Sequence, residues 1–109
     1  MNVNKIVYID ERAKRFLHSL DRRVIVQFHT LFDLLKVRGK LQHPDSKKVT
    51  KNLFEIRIRM DNQYRGFYAY IKRKQIIILH IFIKKTQKTP RKEILTAIKR
   101  LKQNEKNKL

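Results

Sequence analysis

Residues 54–60 read Phe-Glu-Ile-Arg-Ile-Arg-Met. Apolar Phe54, Ile56, Ile58 and Met60 alternate with charged Glu55, Arg57 and Arg59, a period of two that predicts a strand with one apolar and one charged face. Arg57 and Arg59 then point away from the core. Downstream, Asp61-Asn62-Gln63 reads as a turn and the aromatic run Tyr64–Ile71 as the next strand. Lys72-Arg73-Lys74 turns the chain again, and Ile76–Ile83 forms a third, more apolar strand. Connections this short predict antiparallel hairpins.

Upstream the period is 3.6. Asp10 can cap a helix whose apolar positions are Ala13, Phe16, Leu17 and Leu20. Asp21 can cap a second, with Val24, Phe28, Leu31 and Leu35 in register, Ile25 and Phe32 beside them, and Gly39 as a left-handed C-cap. Lys5–Ile9 reads as a first strand and Lys40–Lys48 as a polar loop. After the sheet, Thr89 as N-cap, Pro90 at the first helical position and Glu93 in the first turn start a last helix with Ile94, Ile98 and Leu101 on one face. The expected architecture is α+β, in the order β-α-α-β-β-β-α, with an N-terminal helical hairpin on a mostly antiparallel sheet. It is one domain over residues 1–109, with residues 102–109 as a frayed polar tail.

Composition sets the limits. The 109 residues carry 28 Lys+Arg against 9 Asp+Glu, a net charge of +19. A 41% hydrophobic content is enough for a core and too much for a disordered basic tail. Without Cys, disulfide scaffolds and thiol nucleophiles are excluded. No signal-like apolar segment opens the chain, and Ile76–Ile83 is far short of the roughly 20 residues needed to cross a bilayer. The expected setting is the cytoplasm, with no membrane partner. Such charge points to nucleic acid or an acidic protein.

Several residues have two readings. Arg57 and Arg59 form either a solvated face or one side of an anion site. Arg65 lies among apolar neighbours and is either a structural arginine bonded to a carboxylate or a phosphate clamp; Gly66 beside it would admit a close backbone or ligand. Lys84-Lys85-Thr86-Gln87-Lys88-Thr89 is either a charged connection or an anion site at a helix N-terminus. His80, on a buried strand, reads more readily as a satisfied core residue than as a catalyst. No metal-like His spacing, paired carboxylates or Gly-rich phosphate loop is present, so no metal or cofactor is expected.

Three segments together resemble a known family. Asn52-Leu53-Phe54-Glu55-Ile56-Arg57-Ile58-Arg59, Tyr64-Arg65-Gly66-Phe67-Tyr68 and His80–Pro90, with its Lys84-Lys85-Thr86-Gln87-Lys88-Thr89-Pro90, resemble the RelE/ParE toxin superfamily, in its HigB-like branch. The resemblance spans Lys5–Leu101 and implies the toxin of a type II toxin–antitoxin pair. It further implies metal-independent cleavage of mRNA on the translating ribosome, by attack of a ribose 2′-OH on the adjacent phosphate. Arg65, Arg57, Arg59 and Lys85 are then the catalytic candidates, and Lys84, Gln87, Lys88, Lys48 and Lys51 the RNA-binding ones. One departure stands out: no Tyr or His follows Phe82, where several relatives place an acid or base. A Lys of lowered pKa is the substitute, with Tyr64, Tyr68 and His80 as weaker ones. The alternative on the same fold is a ParE-like gyrase poison without nuclease activity; charge alone also permits a plain nucleic-acid-binding module. The implied partners are mRNA, the ribosome and an acidic-segment antitoxin with a helix-turn-helix domain, the free toxin being a monomer. Phe28, Leu31, Phe32, Leu34 and Leu35 exceed one buried stripe, so part of that surplus is expected at the surface as an antitoxin dock.

Overall fold

The computed structural model describes residues 4–107. The elements are β1 (Ile6–Ile9), α1 (Glu11–His18), α2 (Arg22–Arg38), β2 (Ser46–Thr50), β3 (Leu53–Arg59), β4 (Gln63–Ile71), β5 (Gln75–Lys84) and α3 (Arg91–Asn107). They form a five-stranded sheet of order β1-β5-β4-β3-β2, with β1 parallel to β5 and the other pairs antiparallel. The α+β class and the mostly antiparallel sheet are as expected. The order gains one strand, β2, which starts inside the expected Lys40–Lys48 loop and runs past its end to Thr50. Ser46–Thr50 has one large apolar residue, so its own pattern is silent. Its signal is its pairing with β3, Ser46 opposite Ile56 and Lys47 opposite Glu55. Two lysines on such an edge also discourage further strand addition.

Both sheet faces are covered. Helices α1 and α2 pack over Ile56, Ile58, Tyr64, Tyr68, Ile76, Ile78 and Ile81. Helix α3 lies on the opposite face, its Ile94, Ala97, Ile98 and Leu101 against Phe67, Ala69, Ile71, Ile77 and Leu79. Double coverage explains why central β5 is apolar almost without interruption. The face that carries Arg57 and Arg59 is covered only in part: Glu55 on it is buried, while Arg59 is exposed. Gly66 serves the helices rather than a ligand: a Cβ there would lie 3.2 Å from Phe28 Cε1, so the glycine lets α2 settle on the sheet.

The helix ends follow elementary capping. Asp10 and Asp21 accept from the backbone N–H groups of Arg12 and Arg23, and Gly39 closes α2 with a φ of +77°. Helix α3 starts at Arg91, one residue later than predicted, and the Thr89 hydroxyl donates to Glu55 Oε2 (3.0 Å). Where a frayed tail is expected, α3 continues to Asn107. Its polar residues are tied down, Arg12 Nη2 donating to Gln103 Oε1 (2.9 Å) and Asn104 Nδ2 to Asp10 Oδ2 (3.1 Å). The α2 surplus is also buried: Phe28, Leu31, Phe32 and Leu35 are core residues and Leu34 packs against them. The apolar dock expected from those five residues is therefore absent. Among the described residues, no helix is long and apolar enough to cross a membrane.

Asp10 supplies a pH signature. Burial alone would raise its pKa, but hydrogen bonds from Arg12 and Asn104, and the Arg12 charge, outweigh that and lower it from 3.8 to about 2. A depressed folded-state pKa stabilises above the unfolded value and loses that stabilisation as pH falls through the folded one. Asp10→Asn keeps a capping oxygen but not the charge. It should lower stability at pH 7 by on the order of 2 kcal/mol. Thermal melts should show the gap to the parent closing between pH 4 and pH 2.

Candidate functional site: a cationic pocket over a buried carboxylate

Register places the charges. Directly opposed residues share a sheet face, and the pairs are Lys47 with Glu55, Arg57 with Arg65, Arg59 with Gln63, and Gln63 with Lys84. All lie on the α3 face. Helix α3 covers the Phe67–Ile71 end of β4 and leaves the other end open. There the β5–α3 connection supplies a wall from Gln87, Lys88 and Thr89. The result is a cavity of about 300 Å³ lined by Lys47, Lys48, Val49, Glu55, Arg57, Lys84 and those three residues. Five are cations and one is an acid.

Glu55 is the hub. Its side chain is 3% exposed. Oε1 accepts from Arg57 Nε (3.0 Å), Oε2 accepts from Thr89 Oγ1 (3.0 Å), and Arg65 Nε lies 3.7 Å from Oε1. One carboxylate therefore fixes an arginine of the pocket wall, the start of α3 and a buried arginine below. Arg65 is 2% exposed; its Nη1 donates to the Tyr64 carbonyl (3.0 Å) and its Nη2 to Gln63 Oε1 (3.0 Å). It lies beneath the pocket and does not line it. Lys84 feels this surround: burial and the cations Arg65, Arg57 and Lys47 lower its pKa, against the opposing pull of Glu55.

The expected site residues divide accordingly. Arg57, Lys48, Lys84, Gln87 and Lys88 are brought together in the pocket. Arg59 lines a neighbouring cavity that shares Arg57. Lys85 and Lys51 are exposed and line neither. Lys47 and the anchoring role of Glu55 and Thr89 escaped sequence reasoning. Lys47 could be found only by recognising β2; the parity of Glu55 was visible, its cover was not. Among the proton-transfer candidates, Tyr64 and Tyr68 belong to the α1/α2 core on the other face, and the Tyr68 hydroxyl meets that of Ser46 (3.0 Å). His80 is held between Glu93 (Nε2 to Oε1, 2.8 Å) and Arg100 (Nη1 to Nδ1, 3.2 Å), and burial lowers its pKa against the pull of Glu93. It is a satisfied structural histidine. Among the described residues, no three His, Asp or Glu side chains gather as a metal site.

The sheet end that α3 leaves open, with its lysines and arginines, sits on an α+β fold of the RelE type. The chain matches the model of the phage-derived Gp49-like protein family over residues 15–102 and belongs to that family, within the RelE/ParE superfamily. Solved structures agree on the fold. A free-state double mutant of the Escherichia coli toxin RelE aligns with a TM-score of 0.69 and 17% identity, covering 89% of this chain and 97% of that one. The archaeal RelE–RelB complex from Pyrococcus horikoshii gives 0.60 and 26%, over 73% and 94%. The RelBE2 toxin–antitoxin complex from Mycobacterium tuberculosis gives 0.57 and 21%, over 75% and 100%. No curated protein matches the chain.

The pocket makes a salt prediction. If all five of its cations meet phosphates, log affinity for single-stranded RNA falls against log salt with a slope of about −3.5, each contact contributing about −0.7. Lys48→Gln should flatten the slope by about 0.7. Fluorescence anisotropy at four salt concentrations measures both. A flat dependence would show that the pocket does not bind phosphate.

Proposed function

We propose that the chain is the toxin of a type II toxin–antitoxin pair and an endoribonuclease that cuts mRNA on the translating ribosome. The observation that carries this reading is the convergence of Lys47, Lys48, Arg57, Lys84 and Lys88 on one cavity, with Arg57 fixed by Glu55. The 2′ hydroxyl gives up its proton to water, its oxygen bonds to the adjacent phosphorus, and the bond to the 5′ oxygen breaks. The products are a 2′,3′-cyclic phosphate and a 5′-hydroxyl. Negative charge grows on the phosphoryl oxygens, and guanidinium and ammonium groups already in place stabilise it without reorganising. Arg57, anchored and half-buried, is the principal stabiliser. Lys84, its pKa lowered, releases a proton to the departing 5′ oxygen more readily than a free lysine. Arg65 acts from below, holding Glu55 and adding positive potential.

Antitoxin complexes of relatives support an antitoxin partner. With the α2 surplus buried, the cationic face is the surface that suits an acidic segment. A gyrase poison has no need of five cations converging on one cavity. Expression of the chain alone should arrest bacterial growth, and primer extension should reveal new mRNA 5′ ends within reading frames. Intact transcripts together with failing gyrase-dependent supercoiling would replace this reading by the ParE-like one.

A further inference from the structure

A second cavity, of about 400 Å³, adjoins the first across Arg57, and its other walls are His43, Pro44, Asp45 and Arg59. It exists because β2 stops short. Pairing with β3 begins at Ser46, opposite Ile56, so Arg57 and Arg59 run past the end of the edge strand. Residues 43–45 stand there instead, fixed by the hydrogen bond from Arg57 N to the Asp45 carbonyl (2.9 Å). Among the described residues, the His43 ring, the Asp45 carboxylate and the Arg59 guanidinium have no hydrogen-bond or ion-pair partner.

The chemistry differs from that of the first cavity. Glu55 in the first cavity is neutralised by Arg57 and Arg65, whereas the Asp45 carboxylate is unpaired and repels phosphate, so this is not a continuation of the phosphate track. A carboxylate, a guanidinium fork and a flat ring around one space suit a nucleobase instead. Arg57 is the wall shared by both cavities. An RNA strand with a phosphate against Arg57 in the first places an adjoining base at the second.

We propose that this cavity is a nucleobase subsite and that it selects guanine. Guanine presents two neighbouring acceptors, O6 and N7, which fit the fork of Arg59. It also presents two neighbouring donors, N1–H and the N2 amino group, which fit the Asp45 carboxylate. Adenine, cytosine and uracil each offer a carboxylate only a single donor group. His43 supplies a ring on which the base stacks. The subsite rests on the reading of the first cavity as an RNA site, and it adds a sequence preference that charge alone cannot give.

The test uses RNA that cannot be cut, so that it is independent of nuclease activity. The probes are labelled hexamers of 2′-O-methyl uridine with G, A, C or U at one central position, titrated with the full chain by fluorescence anisotropy. The G hexamer should bind about tenfold more tightly than the other three, the discrimination of one good bidentate pair. Asp45→Asn and Arg59→Gln should each abolish that preference. Equal binding of all four, no binding, a preference for cytosine or adenine, or a guanine preference that survives both substitutions would each overturn the proposal. If guanine is preferred while mRNA is never cleaved, the subsite stands and the nuclease reading falls. If mRNA is cleaved while the hexamers bind alike, the reverse holds.

Discussion

Arg65→Ala is expected to cost the fold about 3–5 kcal/mol, because it leaves Glu55 buried without its deep cationic partner. For a chain of this size each kcal/mol lowers the melting temperature by roughly 4–8 °C, so the variant should melt more than about 12 °C early. Arg65 is sealed between β3 and β5, with its two terminal nitrogens bonded to Tyr64 and Gln63. Its charge is disfavoured by burial and favoured by Glu55, against the repulsion of Arg57 and Arg59. The loss should be shared with Glu55: Arg65→Ala combined with Glu55→Gln should cost less than the sum of the two, as expected of groups in one network. Thermal melts of the four proteins complete the cycle. A folded Arg65→Ala variant with an unchanged melting temperature and no cleavage would instead place Arg65 in direct contact with the phosphate.

The second large effect is on rate. Arg57→Gln and Lys84→Met should each slow RNA cleavage by about 100–1000-fold, the usual cost of one preorganised group at a developing charge. Both residues lie at the solvent edge of the pocket, so stability should stay within about 0.5 kcal/mol of the parent for Lys84→Met. Lys84→Arg separates its two roles. It keeps the charge and should restore RNA binding, but a guanidinium holds its proton too firmly to restore cleavage. The pH profile carries the same sign. With Lys84 as the acid, cleavage should fall as pH rises through a pKa below the usual 10.5. Full rate in Lys84→Arg would reduce Lys84 to a phosphate contact.

Much of the fold is legible because its elements carry their own period. The alternation Phe54–Met60, the stripe Val24, Phe28, Leu31, Leu35 and the caps Asp10, Asp21 and Gly39 all state their structure locally. β2 does not: Ser46-Lys47-Lys48-Val49-Thr50 is a strand only because β3 offers it a ladder. The same gap hides Lys47. The site is half legible. The parity that sets Arg57, Arg65 and Lys84 on one face can be counted along the chain. How far α3 extends over that face cannot, and this decides that Arg65 is sealed while Arg57 and Lys84 reach solvent. In the alternation Glu55 is simply one charge on the polar side of a strand; the Thr89 hydroxyl and its own burial make it the anchor of the pocket. The surplus on α2 misleads for a related reason. A helix packed across a broad, twisted sheet buries a wider arc than a single stripe, and Phe28 uses the space that Gly66 leaves.

The most direct test of the central claim is the chemistry of the cut ends. Purified chain is added to a translating mixture with a defined message, and the new 5′ ends are tested for labelling by polynucleotide kinase without prior phosphatase treatment. Cleavage by the 2′ hydroxyl leaves 5′-hydroxyl ends, so they should label at once, and the upstream fragments should carry cyclic phosphates. Lys84→Met should leave the message whole. A message that stays intact with the parent chain, or 5′ ends that label only after phosphatase, would contradict the account.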